Sequence, residues 1–178
     1  MKSINDFDLN EITMDKEYYP SPEEWEEQTL YFLLVDRFSN SQEDEIYNPE
    51  TDYENALKDE KTKQAWLEAG DKWNGGSLQG IKSKLDYFKK LGITAIWISP
   101  IFKQVAFQES YHGYGIQNFL QIDPHFGNAK DLQDLVKVAH NEGIYIILDI
   151  ILNHTGDVFA YEAESPQYAG EQYQMQAF

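Results

Sequence analysis

The 178-residue chain has no cysteine, which excludes disulfides, thiolate metal centres and a cysteine nucleophile together. Basic residues are also scarce: 14 Lys plus Arg stand against 31 Asp plus Glu, for a formal charge of −17. A field of that sign repels phosphate backbones and anionic lipid, so nucleic acid and membrane are poor partners and a neutral or cationic ligand is a better one. No apolar run approaches the roughly 18 residues of a membrane-spanning helix. The first residues, Met1 to Asp8, lack the apolar segment of a secretory signal, so a soluble, cytoplasmic protein is the expectation. What is present is ample material for a core, since 42% of residues are hydrophobic and 15% aromatic.

The apolar material is concentrated in short runs. Ile144 to Leu152 holds eight apolar or aromatic residues and one charge, Asp149, a pattern that suits a parallel strand covered on both faces. A carboxylate in such a run needs donors or a cation nearby, because burying it unpaired costs several kcal/mol. Asn153, His154 and Thr155 follow where the strand should leave the sheet, and ligands of α/β folds bind at the carboxyl ends of strands. Leu30 to Val35 and Ile93 to Ser99 are two further runs of strand length.

Between these runs the spacing predicts helices. Ser77 can cap a helix carrying Leu78, Ile81, Leu85 and Phe88 on one face, with Gly92 just past its end. Asn128, with Asp131 three residues on, opens a second helix bearing Leu132, Leu135, Val136 and Ala139, stopped at Gly143, with His140 on its exposed side. Ser21-Pro22-Glu23-Glu24 reads as a short helical turn, and residues 55–69 as a helix inside a long acidic excursion. Residues 101–127 read as a second long loop. Short helix-to-strand turns beside long strand-to-helix loops give parallel right-handed units with all the irregular sequence at the carboxyl ends of the strands. Both a (β/α)8 barrel and a doubly wound sheet fit that pattern. Gly75 to Gly80 misses both the nucleophile elbow and the phosphate loop by one residue, and Gly113-Tyr114-Gly115 lacks a third glycine.

Six segments taken together narrow the choice. Leu34-Val-Asp-Arg-Phe-Ser39, Gly75-Gly-Ser-Leu-Gln-Gly-Ile81, Leu91-Gly-Ile-Thr-Ala-Ile-Trp-Ile-Ser-Pro-Ile-Phe102, Gly113-Tyr114, Asp123-Pro-His-Phe-Gly127 and Asp149-Ile-Ile-Leu-Asn-His154 stand in the order and spacing of the alpha-amylase family of glycoside hydrolases, which residues 30–157 resemble. The resemblance implies an α/β fold, the N-terminal portion (about three βα units) of a (β/α)8 TIM barrel. Residues 1–28 would be a lead-in, 29–157 the first three strands and two helices with long loops, and 158–178 the start of an excursion after the third strand.

The resemblance also implies roles. His154 is similar to the histidine that hydrogen-bonds the sugar at the cleavage site, and Tyr114 to the tyrosine that stacks under it. Asp149 resembles a structural carboxylate that orients the site through an arginine on a later strand, and Asn153 a calcium ligand. A second calcium site in some relatives would draw on Asn40, Asp44, Glu45 and Gly75, but Ser77 stands where those relatives have aspartate, and an acidic loop is more often a solvated face. No organic cofactor is implied. The partner would be an α-glucan or maltooligosaccharide, handled by a retaining double displacement. The acids for that chemistry, on strands four, five and seven of the family, have no match here; Glu109, Asp123 and Asp157 fit none of their motifs. The resemblance places the nucleophile and the acid/base beyond Phe178. The chain alone is therefore expected to be inactive and to require the remainder of the barrel. The alternatives are a non-catalytic sugar-binding or regulatory protein on a partial barrel and a doubly wound module.

Overall fold

The structure is a computed structural model that describes residues 8–42, 59–106, 108–161 and 175–177. Asp44 and Glu45 of the second calcium expectation, and residues 55–58 of the expected excursion helix, lie outside the described residues. Phe178 lies outside the described residues as well. In chain order come α1 (Leu9–Thr13), a 3₁₀ turn (Trp25–Glu27), β1 (Leu30–Leu33), α2 (Val35–Phe38) and α3 (Glu60–Glu68). Then follow α4 (Leu78–Ser83), α5 (Leu85–Lys90), β2 (Ala95–Ile98), β3 (Phe102–Gln104) and β4 (Ile116–Ile122). The last elements are α6 (Ala129–Asn141), β5 (Tyr145–Leu148), β6 (Phe159–Tyr161) and β7 (Met175–Ala177).

β1, β2 and β5 form one parallel sheet in that order, with Leu30, Ala95 and Tyr145 in register at one end and Leu33, Ile98 and Leu148 at the other. Each strand is thus added beside its predecessor, with no reversal of order between them, as in consecutive units of a barrel. Alternate side chains point to the helices: Leu33, Ile96 and Ile98 are buried against Leu78, Ile81, Leu85 and Phe88 and against Leu135 and Ala139. That cluster unites the predicted helix faces with the predicted strands. Both caps form as expected. Ser77 accepts from the Gly80 amide, and Asn128 and Asp131 make a reciprocal capping box. Gly92 and Gly143 follow the helices with φ of 75° and 74°.

The first turn of α4 lies unusually close to the segment after β1. Gly76 N donates to Asp36 O and Ser77 N to Ser39 O, both at 2.8 Å. A Cβ on Gly80 would fall 1.8 Å from the Ser39 carbonyl oxygen, so only glycine permits the approach.

Five expectations are corrected. Residues 101–127 are not a loop throughout: β3 and β4 pair antiparallel within them, because Ile116 and Gln104 are buried together while the residues between them turn. The helix from Ser77 breaks at Lys84 into α4 and α5. The turn predicted at Ser21 begins at Trp25, after Glu24, with no side-chain cap. β5 is not covered on both faces; it is an edge strand among the described residues, half-buried with Leu148 exposed. The opposite sheet face likewise leaves Phe32 and Trp97 exposed, packed edge-to-face at 5.1 Å. His140 is not on a free helix face: its ring stacks on Tyr19 at 4.0 Å, and Tyr19 and Trp25 both pack on Tyr145. The lead-in is thereby strapped across the amino end of β5, which desolvates His140 and lowers its pKa.

Candidate active site wall at the carboxyl ends of the strands

Four of the residues singled out by sequence, Tyr114, Asp149, Asn153 and His154, lie where the strands of the sheet end. Tyr114 is carried there by the turn between β3 and β4. That turn is held by Gln104, a residue no sequence motif marks, which is 2% exposed. Its side-chain amide donates to the Phe102 and Gly113 carbonyls at 2.7 and 2.9 Å, and its oxygen accepts from Gly115 N at 2.8 Å. Gln104 is itself fixed through its backbone N–H, which donates to buried Asp123 at 2.8 Å. Asp123 also accepts from the His125 amide and lies 2.7 Å from His125 Nδ1, so the carboxylate that matched no catalytic motif is committed to holding this turn. The sequence signal for Gln104 was faint: a polar side chain in an apolar stretch with no cap or turn to explain it.

The reversal at Gly113 has φ of 90°, and its α-carbon presses so near the Pro100 carbonyl that a Cβ would sit 2.0 Å from the oxygen. The turn places the Tyr114 hydroxyl 2.9 Å from Asp149 Oδ2, to which it donates. This answers what Asp149 pairs with among the described residues. Partial burial, and then the hydrogen bond to the Asp149 carboxylate, raise the pKa of the Tyr114 phenol, since both favour the neutral hydroxyl.

Asn153 and His154 follow β5 and are exposed, with Asn153 Nδ2 3.3 Å from His154 Nδ1. Two residues on, Gly156 N donates to Ile116 O at 2.8 Å and its α-carbon abuts the Gly115 carbonyl. The segment bearing His154 is thus laid alongside the one bearing Tyr114. Four of the sequence candidates, Tyr114, Asp149, Asn153 and His154, are brought to one rim.

Asn40 and Gly75 of the second calcium expectation lie in the segments that meet at Asp36. The Asn40 side-chain oxygen accepts from Gln42 N at 2.8 Å, and Gly75 N donates to Asp36 Oδ1 at 3.0 Å. Asp36 is the organising group: 2% exposed, it accepts from the Asn74 and Gly75 amides and lies 3.2 Å from Arg37 Nε. That last approach is a charge contact, because the Nε hydrogen makes no aligned bond. The Arg37 guanidinium instead donates to the carbonyls of Ala69, Gly70 and Lys72 and lies over the Tyr111 ring, 3.7 Å from its centre. No cluster of three or more His, Asp or Glu side chains able to hold a metal occurs among the described residues. No helix among them is long and apolar enough to cross a membrane.

Comparison with known proteins agrees with this geometry. The alpha amylase catalytic-domain family matches residues 32–177. A beta/alpha-amylase from Paenibacillus polymyxa is 40% identical over 134 residues, 75% of this chain and 10% of that protein. An alpha-amylase from Streptomyces lividans is 48% identical over 103 residues, 54% of this chain and 11% of that protein. The chain thus spans about a tenth of the length of these two curated relatives. Among solved structures, an Anoxybacillus alpha-amylase superposes with TM-score 0.57 at 41% identity, over 76% of this chain and 26% of that one. The Geobacillus thermoleovorans alpha-amylase, solved in complex with acarbose, gives 0.56 at 39%, over 74% and 24%. With its catalytic-domain family matched over residues 32–177 and its parallel strands superposing on solved alpha-amylases at 39 and 41% identity, the chain belongs to the alpha-amylase family and folds as part of its (β/α)8 catalytic barrel.

Proposed function

We propose that this chain forms one wall of the sugar site of a glycoside hydrolase acting on α-linked glucans by a retaining double displacement. The observation that carries the reading is the Tyr114 hydroxyl bound to Asp149 beside the Asn153-His154 rim. A tyrosine face matches the apolar face of a pyranose, and an exposed imidazole at the same rim can hydrogen-bond a sugar hydroxyl. Asp149 acts through Tyr114, holding its outer end by accepting a hydrogen bond from the phenol hydroxyl. The retaining reaction needs a nucleophilic carboxylate and a protonated acid about 5 to 5.5 Å apart. On this reading both come from barrel strands beyond Phe178, other than β1, β2 and β5. The 178 residues by themselves therefore bind one side of the sugar and turn nothing over.

Calcium enters this reading only at Asn153, through its side-chain oxygen. No group of three or more His, Cys, Asp or Glu side chains able to hold a metal surrounds it among the described residues, whereas the ion takes six to eight oxygens. No step is routed through the metal. Calorimetric titration of this chain should show binding at about millimolar or weaker; micromolar binding would mean a complete site within it.

The main test uses a protein that carries this chain in a complete barrel, assayed on a maltooligosaccharide. Contacts that tighten as the ring approaches its oxocarbenium-like state lower both kcat and kcat/KM when removed. His154→Ala should reduce kcat/KM by about tenfold to a hundredfold, as for a hydrogen bond of ~1.5 to 3 kcal/mol, with little change in melting temperature. Near-normal kinetics with a melting point several degrees lower would make His154 a structural loop residue. Saccharide binding with no turnover by the complete protein would favour a non-catalytic sugar-binding role.

A further inference from the structure

Anchoring the hydroxyl of Tyr114 leaves one freedom unsettled. The bond axis about which a tyrosine ring rotates runs through Cβ, Cγ and the hydroxyl oxygen, so a hydrogen bond at that oxygen fixes where the ring ends and not how its plane is turned. A platform for a pyranose needs the plane. His112 supplies what Asp149 cannot. Its ring lies against that of Tyr114 with centroids 5.7 Å apart and planes 23° from parallel. Its Nδ1 accepts the Tyr114 backbone N–H at 3.0 Å. A backbone amide can only donate, so Nδ1 carries no proton and the neutral ring holds its hydrogen on Nε2. Partial burial lowers the His112 pKa, which favours the neutral ring.

His112 is backed in turn. Tyr111 meets it edge-on at 5.3 Å and 72°, and the Arg37 guanidinium covers Tyr111. Arg37 is immobilised by the backbone carbonyls of Ala69, Gly70 and Lys72. A run of ring contacts thus leads from Arg37 after β1 through Tyr111 and His112 to Tyr114, whose hydroxyl is held by Asp149 after β5, so the ring at the rim is tied to the sheet at both ends.

We propose that His112 is a positioning residue that sets the plane of the Tyr114 ring, with Arg37 and Tyr111 as its backing. This rests on the reading of Tyr114 as the sugar platform. Two substitutions separate the two contacts. His112→Phe keeps a ring for stacking and loses the acceptor. His112→Asn keeps an acceptor two residues before the Tyr114 amide, the geometry of an Asx turn, and loses the ring.

The experiment measures kcat/KM on a maltooligosaccharide in the protein carrying the complete barrel, with each His112 variant made in the wild-type and in the Tyr114→Ala background. His112→Asn should lower kcat/KM by about tenfold and His112→Phe by about threefold or less, magnitudes of a modest packing or hydrogen-bond contact. In the Tyr114→Ala background neither should have a further effect, because a residue that acts through Tyr114 has nothing left to act on. Long-range ¹⁵N–¹H spectra of the wild-type protein should show His112 protonated at Nε2 alone at neutral pH. Equal, additive losses in both backgrounds, or an Nδ1-protonated His112, would overturn the proposal while leaving the sugar-platform reading intact. Unchanged kinetics in Tyr114→Ala itself would overturn that reading and this one with it.

Discussion

Gly80→Ala sets two physical effects of opposite sign against each other. Gly80 lies inside α4, where alanine is a better helix former by about 0.8 to 1 kcal/mol. Against this, the new Cβ would stand 1.8 Å from the Ser39 oxygen and 2.4 Å from its carbonyl carbon. An ordinary contact needs more than 3 Å, so α4 and the segment after β1 would have to separate by over an ångström. The Gly76–Asp36 and Ser77–Ser39 hydrogen bonds, both 2.8 Å, would then stretch beyond bonding range, losing about 0.5 to 1.5 kcal/mol each. Leu78 and Ile81, wholly buried on the same turn, would lose contact with the sheet, a cavity-type loss of about 1 to 3 kcal/mol. The net is a destabilisation of roughly 1 to 5 kcal/mol, a large fraction of the 5 to 15 typical of a domain. Gly70→Ala is the control: nothing lies within 4 Å of its Cβ position, so it should be neutral or raise stability slightly. Urea unfolding followed by tryptophan fluorescence compares the two. If Gly80→Ala unfolded at the same or higher urea than the parent, the close approach of α4 to Ser39 would be wrong.

Three further outcomes are expected. Tyr114→Phe removes the proton given to half-buried Asp149 and should cost about 1 to 2 kcal/mol, with a melting point lowered by about 2 to 6 °C; because the phenol pKa is raised on folding, its contribution is present below the ordinary value near 10 and fades as pH rises through the folded value, so the two proteins should converge in strong alkali. His140, whose pKa is lowered by burial under Tyr19, should make stability fall as pH drops below about 6.5 toward its folded value; a His140→Phe variant, which keeps the stack, should have a flatter acid profile, and an identical profile would refute the strap. The uncovered sheet face bearing Phe32 and Trp97 should drive this chain to self-associate, so sedimentation across concentrations should show oligomers that Trp97→Lys reduces, and a strictly monomeric parent at high concentration would count against an open face.

How far the site could be read in advance differed residue by residue. Ser77, Asn128, Gly92 and Gly143 were legible because caps and C-terminal glycines act within a few residues of chain. The helix faces through Leu78, Ile81, Leu135 and Ala139 were legible because a buried stripe must repeat with the helical period. Asp149 drew suspicion because a charge in an apolar run demands a partner. The partner itself, Tyr114, stands 35 residues away, and only the turn between β3 and β4 brings it near. Local pattern hid that turn, since Gln104 holds it through bonds to Gly113 and Gly115 that no periodicity announces.

Sequence alone therefore determined the alternation of strands and helices, the parallel sheet those lengths require, and which residues carry the family's motifs, since these depend on composition and short-range spacing. Tertiary structure alone decided that Asp36 is consumed by the Asn74 and Gly75 amides, that Asp123 holds a turn, that His140 lies under Tyr19, and that Arg37, Tyr111, His112 and Tyr114 meet in one run of ring contacts. Each of these depends on groups meeting across distant parts of the chain, where the free energy of a contact is set by the geometry of closed packing and not by the identity of neighbours in sequence.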